Sequence, residues 1–529
     1  SMLLIAQAAT YSGSLPVLFI QTENNQSITS KETYINATYY LDAMGISGYT
    51  SIGSKEAPLN MEIRGRGNYS WTGFDKKPYR IKLAEKQPLL GMNKSKHFAL
   101  LAHADDSNDR KGFMRNAVGF ELSKMIGMTY TPDAKPLEVV LNGNYIGLYF
   151  LTETIRVDKD RVNITEQDDL ATTDVEGGWL VEIDNYNTDP HVTITEGGNV
   201  YEMWITYKSP EELSYQQEQY LTQQMLLIDR LIYGDKNSDK LWEYLDMDAL
   251  AKFYIVQEIT DNYESFHGSC YLHKDMGSNA KWHFGPVWDF GSSFNRDKSQ
   301  YMYQGDVWHN HWIPEICKFP AFMNHVKTVW KEFYAGKYNE IYTYITEQKD
   351  LIASAAQADY QRWPQYGNRD LANRVTKVAD RMRSNVAWLN NQWSENVNDE
   401  VIDDLSSTAM YVWVNGQSVE YPIAQVDSIT FAKKESIVVK AKVPESWSDV
   451  YVYIWDTEGV ETGDYKASKQ GDWYVYTYFG KSLNIIFKEG KDWRGHPYQT
   501  EDLETNRSGC YIITQEGENK GVFNEVDCD

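Results

Sequence analysis

Chemistry-bearing residues gather in three places along the sequence. In the first, Asp261 closes the apolar stretch KFYIVQEITD and Asp289 directly follows KWHFGPVW. Between them, GSCYLHK and KWHFGPVW read as two strands around a turn at 275–280. Residues at the open end of such a hairpin lie on neighbouring strands, about 5 Å apart across the ladder. Two carboxylates there can share a divalent cation, or one can serve as a base beside a metal held by the other. Solvated or capping acids would leave the same letters. In the second place, Gly65 and Gly67 share a loop with Asn68 and Ser70. Bare backbone N–H groups in such a loop can approach phosphate oxygens, although an ordinary hairpin turn uses the same glycines. The strand Pro78 to Leu83 follows, with Tyr79, Ile81 and Leu83 on one face and Arg80 and Lys82 on the other. A cation just after a glycine loop suits nucleotide phosphates; a solvated sheet face is the alternative. In the third place, DVYVYIWD, the residues Tyr451, Tyr453 and Trp455 share one strand face and Val452 and Ile454 the other. Three exposed aromatics in a row form a platform on which sugar rings can stack. Burial of Trp455 and one tyrosine would remove it.

The elements that must position these residues follow from pattern. LPVLFIQTEN (15–24) reads as an opening strand, and 59–83 as two strands joined through RGRGNYSW. Met114, Val118, Leu122 and Met125 keep helical spacing. LEVVLNGNYIGLYFLTE gives two alternating strands around Asn142-Gly143, a type I′ hairpin signal. GGWLVEID (177–184) is a further strand. Helical patterns dominate 211–260 and 320–393, most clearly at Leu371, Val375, Val378, Met382, Val386 and Leu389. The expected architecture is multidomain: an α+β domain over 1–400, a short β linker module over 401–435 with its own Asn415-Gly416 turn, and an all-β sandwich over 436–529.

Composition bounds the partners. The 529 residues carry a formal charge of −24, which disfavours nucleic acid and anionic membrane as main partners. No stretch reaches 18 uninterrupted apolar residues, so no transmembrane span is expected. Ser1 reads as an expression scar on a chain whose native start has been cut away, so a signal peptide or lipid anchor could have been removed. The four cysteines, Cys270, Cys317, Cys510 and Cys528, lack metal-type spacing; Cys510 and Cys528 could pair, but free buried thiols are the expectation. Aromatic residues reach 14%; most of these are expected in core and sheet surface, but such side chains also stack on flat ligands and sugar rings.

Glycine loop, strand lysine and two aspartates, in that order, follow a phosphoryl-transfer plan, with a literal Asp289-Phe290-Gly291 but without the HRD and VAIK signatures. LPVLFI, IRGRGNYSW, KKPYRIKL, FMRNAVGFEL, LNGNYIGLYFLTE and FGPVWDFG occur in the order found in the CotH-type spore-coat kinases, which residues 15–393 resemble. The resemblance implies an atypical kinase-like fold that transfers phosphate from ATP to protein Ser/Thr with Mg2+ or Mn2+. By position, Gly65, Gly67, Asn68 and Lys82 would hold the nucleotide. Glu121 would pair with the lysine, Glu153 would lie near the hinge, Asp261 would be the catalytic aspartate and Asp289 the metal ligand. Ser269 stands where the family has an asparagine as second metal ligand, which keeps a pseudokinase reading open.

The segment from about Ile437 to Thr514, with YVYIWD, GDWYVYTY, LNIIFKEG and YQTEDL, resembles the starch-binding modules of bacterial amylases. That likeness implies that Tyr451, Tyr453 and Tyr465 stack on α-glucan, with Trp473 in the core. Residues 410–431 resemble small β linker modules of gut Bacteroidetes surface proteins. The resulting expectation is a secreted or surface kinase-like protein tethered to starch, with the protein substrate unidentified. Two alternatives are a non-catalytic glucan-binding protein and a glycoside hydrolase using Asp261 and Asp289 as paired acids.

Overall fold

Alternation of apolar and polar residues builds the first strands, and they close on themselves. In chain order these are β1 (Val17–Thr22), β2 (Ile35–Asp42), β3 (Leu59–Gly65), a one-turn helix α1 (Tyr69–Thr72), β4 (Tyr79–Gln87), β5 (Ser95–Leu101), helix α2 (Met114–Met125), β6 (Ala134–Leu141) and β7 (Asn144–Glu153). The strand order is β1-β2-β3-β4-β5-β7-β6, and β1 pairs antiparallel with β2 and parallel with β6, so no edge is left open. This computed structural model describes residues 10–105, 111–186, 189–194, 202–304, 312–394, 409–414, 417–422, 436–491 and 498–528. The barrel interior is apolar: Leu18, Tyr39, Ile63, Ile81, Phe98, Leu100, Val139 and Leu151 are buried there. The period of two then turns Glu62, Arg64, Arg80, Lys82 and His97 to the outer wall. At the β6–β7 turn Asn142 and Gly143 both take positive φ, 49° and 76°, as a type I′ turn requires.

The rest of this unit is a five-stranded sheet and a helical layer. Its elements are β8 (Trp179–Ile183), β9 (His191–Ile194), β10 (Met203–Ser209), α3 (Tyr215–Tyr233), α4 (Met247–Thr260), β11 (Cys270–Lys274), β12 (His283–Phe284), α5 (Ile313–Ile316), α6 (Pro320–Gly336), α7 (Glu340–Arg362) and α8 (Leu371–Trp393). The sheet order is β12-β11-β8-β10-β9. Helix α4 is buried almost all round, from Leu250 to Thr260, because it runs through the core rather than over it. Asp246 caps its start by accepting the Ala249 N–H at 2.8 Å. Its last turn ends on Asp261 in the left-handed region. The α8 stripe Val375, Val378, Met382, Val386 and Leu389 is buried as its spacing dictates.

The chain divides into two compact units, residues 1–399 and 400–529. In the second, β13 (Ala409–Val414) and β14 (Gln417–Pro422) form an antiparallel pair. The turn at 415–416 and the linker at 396–408 lie outside the described residues. Nine further strands follow: β15 (Ser436–Lys442), β16 (Val450–Ile454), β17 (Gly463–Lys466), β18 (Ser468–Gln470), β19 (Trp473–Phe479), β20 (Leu483–Glu489), β21 (Leu503–Thr505), β22 (Gly509–Thr514) and β23 (Val522–Val526). They make two sheets, β18-β19-β15-β22-β23 and β17-β16-β20-β21, around a core that includes Val439, Val452, Ile485 and Phe487. Cys510 and Cys528 form a disulfide, correcting the expectation of free thiols; register explains it, since Cys510 pairs with Val526, two residues short of Cys528. Cys270 and Cys317 are free.

Candidate functional site

The outer wall of β3, β4 and β5 is strongly cationic. Cross-strand register sets Arg64 opposite Arg80, Glu62 opposite Lys82 and Lys82 opposite His97. Lys82 Nζ lies 3.1 Å from Glu62 Oε2, with both side chains about half exposed. Such a pair contributes about 0–1 kcal/mol, so a phosphate can displace it at little cost. The arginines are less well satisfied. Arg64 donates Nη1 to the Lys31 carbonyl, while its Nε and that of Arg80 are buried with no hydrogen-bond partner among the described residues. Arg66 lies 5.8 Å over the Trp288 ring. Burial pulls the Arg66 and Arg80 guanidinium groups below their usual range, and neighbouring arginines push the same way; Asp289 draws on Arg66, and Tyr34 and Tyr271 on Arg80. His97 is driven down to about 3, first by burial and then by Arg156, Arg80, Arg161 and Lys82, and its Nδ1 is buried without a partner. In a chain of charge −24, this local crowd of cations has the charge to attract an anion.

The glycine loop has a more local explanation. A side chain at Gly65 would meet the Trp71 ring at 2.4 Å, so this glycine makes room for tryptophan. Gly67 takes a φ of +82°, and Asn68, at the start of α1, accepts from Lys31 Nζ at 2.7 Å. The loop thus shapes the entry to β4 and the arginines behind it.

Asp289 is exposed, next to this wall by its pull on Arg66. Its Oδ1 accepts the Gly291 N–H at 3.0 Å, and its carbonyl accepts from Asn262 Nδ2 at 3.1 Å. Four non-glycine residues of this region, Asp261, Ser269, Asp289 and Phe294, have φ between 50° and 59°. Left-handed backbone of that kind is held by its surroundings and gathers at functional sites.

Asp261 is placed differently from the hairpin expectation. Residues 262–269 separate it from β11, and only 2% of its side chain is exposed. Both oxygens are engaged, Oδ2 by Arg296 Nε at 2.7 Å and Oδ1 by Lys298 Nζ at 2.9 Å. Lys298 also contacts Glu258 Oε2 at 2.5 Å, with neither side chain exposed. Burial raises the Glu258 carboxyl, and Lys298 opposes that rise. Asp261 is therefore the hub of a buried network fastening the end of α4 to the segment after Asp289. Glu264 of the same loop is partly exposed.

The other expected positions disperse. Glu121 does not pair with Lys82: it lines a pocket of about 420 Å³ with Lys124, Asp133, Lys135 and Tyr344, and burial raises its carboxyl. Glu153, 2% exposed, accepts from Tyr130 Oη and the Asp133 N–H, both at 3.0 Å, which is a structural task. Ser269 directly precedes β11 and is partly exposed. Arg64, Arg66 and Arg80 stand in the same cationic region as Lys82, and the sequence signal for Arg80 was the strand face it shares with Lys82.

In the second unit, Tyr451, Tyr453 and Trp455 are partly exposed while Val452 and Ile454 are buried. The Tyr453 and Trp455 rings stack at 6.3 Å and 17°. Tyr465 donates its hydroxyl to the Glu461 carbonyl at 2.6 Å and sits tilted against Tyr476. Trp473 is not core: it is partly exposed, with Lys442 Nζ 4.7 Å over its ring, because Tyr474 and Tyr476 take the inward positions of β19.

The donors on the barrel wall fit phosphate oxygens. Among the described residues, no group of three or more His, Cys, Asp or Glu gathers to hold a metal. Mg2+ needs less, since it is commonly held by one or two carboxylates together with substrate phosphates, and exposed Asp289 fits that role. No helix among the described residues is long and apolar enough to cross a membrane. A sequence model of the family described as CotH kinase protein matches residues 63–398, from β3 to just past α8. No curated protein matches the chain.

Proposed function

The chain belongs to the CotH kinase protein family, and from that premise we propose that the first unit binds ATP with Mg2+ or Mn2+ and phosphorylates a protein Ser/Thr hydroxyl. The carrying observation is the cluster of Arg64, Arg66, Arg80 and Lys82 beside an exposed aspartate, with the Nε atoms of Arg64 and Arg80 unpartnered among the described residues. When bound, ATP with its metal supplies the phosphoryl group, whose transferred oxygens need charge neutralisation and in-line placement. Arg64, Arg66, Arg80 and Lys82 neutralise phosphate charge, and Asp289 ligates the metal. The loop after α4 starts at Asp261, the carboxylate assigned to the acceptor hydroxyl, and meets Asp289 through Asn262. Asp261 holds that loop in place through Arg296 and Lys298.

In the second unit, Tyr451, Tyr453 and Trp455 form a platform for α-glucan, with Tyr465 fixed beside it. The Cys510–Cys528 disulfide suits an oxidising compartment, in keeping with an extracellular or surface location. One observation favours a second reading, a glucan-binding protein with a silent kinase scaffold: Ser269 offers a hydroxyl where a kinase of this plan uses an amide oxygen. Thermal shift separates them. ATP with Mn2+ raises the melting temperature of the kinase, and an absence of any nucleotide shift with Mg2+ or Mn2+ favours the silent scaffold.

A further inference from the structure

The turn that carries Asp289 is gripped from two sides. From α2, Asn116 Oδ1 accepts the Phe290 N–H at 2.9 Å, and Arg115 Nη1 donates to the Gly291 carbonyl at 2.8 Å. From the loop after α4, fully buried Asn262 donates Nδ2 to the Asp289 carbonyl at 3.1 Å. Phe290 is 0% exposed and lies against α2 at Gly119, where an added methyl would sit 2.4 Å from its ring. Phe120 meets it edge-on at 5.9 Å. Three consecutive residues thus have backbone groups held by side chains of two different elements, while Asp289 itself keeps a φ of +56°. That conformation costs on the order of 1 kcal/mol for an L-residue, so the turn relaxes when its bonds are lost.

We infer that Asn116 and Arg115 of α2 are positioning residues that hold the Asp289 carboxylate where it can take a divalent cation. Helix α2 then acts on the phosphate site through hydrogen bonds to the turn, without contacting the ligand. The inference rests on the metal role proposed for Asp289.

The test is Mn2+ binding to the full chain with ATP present, read from the free-Mn2+ paramagnetic resonance signal. Asn116→Ala weakens binding about tenfold, which corresponds to roughly 1.4 kcal/mol. Asn116→Asp keeps an oxygen acceptor for the Phe290 N–H and is expected to restore affinity to within about threefold of wild type, because the bond that holds the turn is retained. Equal losses in both variants would mean a merely structural asparagine, and unchanged affinity in Asn116→Ala would also overturn the inference. If Asn116→Ala does not fold, Arg115→Gln carries the test, and wild-type affinity in it is the overturning result. A wild-type chain that takes up no Mn2+ with ATP overturns the kinase reading on which this inference rests, whereas wild-type uptake with unchanged affinity in Asn116→Ala overturns this inference alone.

Discussion

At the scale of single residues, Arg80 and Asp289 matter most. Arg80 has a buried, unpartnered Nε and no ion pair among the described residues, so its loss leaves the fold's own bonds intact. Arg80→Ala is expected to weaken ATP binding by tenfold or more, about the worth of one charge-assisted contact, and to flatten its salt dependence; calorimetric titration at two salt concentrations measures both. His97 gives a pH signature. Its folded value, about 3, lies below the ordinary 6.5, so the folded state favours the neutral ring. The resulting stability is present above about pH 6.5 and is lost as pH falls from there towards 3. Wild type should therefore lose more stability than His97→Gln between pH 7 and pH 5 in urea unfolding. An equal loss in both would show that burial and the neighbouring cations do not hold this ring neutral.

At the scale of elements, one buried ion pair fixes the approach to β4. Lys76 Nζ meets Asp359 Oδ1 of α7 at 2.7 Å, each side chain being 1% exposed, and donates to the Leu148 carbonyl of β7 at 2.7 Å. Burial lowers the Lys76 amine and raises the Asp359 carboxyl, so the pair stands only because each charge answers the other. Lys76→Met alone is expected to cost about 3–5 kcal/mol, whereas Lys76→Met with Asp359→Leu costs far less. Chemical denaturation of the two variants decides it. Strand and helix positions were legible in the sequence because periods of 2 and 3.6 survive wherever one face is buried, as in β4 and α8. Closure into a barrel was not, because the β1–β6 pairing joins strands more than a hundred residues apart and leaves no local mark. The site was legible in part. Lys82 and Asp289 stood out by type and motif, but which cation is paired and which is orphaned depends on register across β3, β4 and β5. The ion pairs that occupy Asp261 depend on a segment 35 and 37 residues downstream.

At the scale of the whole molecule, each unit has its own core, so each is expected to fold and act alone. Residues 1–399 should keep the nucleotide response, and residues 400–529 should keep retention on soluble starch in affinity electrophoresis, lost in Tyr451→Ala with Tyr453→Ala. Cys510→Ser removes a link spanning 18 residues and is expected to lower the stability of the second unit by about 3 kcal/mol, with the first unaffected. Calorimetry that shows both transitions moving together would contradict this independence. The net charge of −24 disfavours polyanions globally, yet the barrel wall concentrates cations locally, and that contrast is the basis of the functional reading. Its most direct test is the melting temperature of the full chain with ATP and Mn2+, for wild type, Arg80→Ala and Asp289→Ala. The account predicts a rise in wild type that both substitutions abolish; no rise in wild type, or an equal rise in all three, would contradict it.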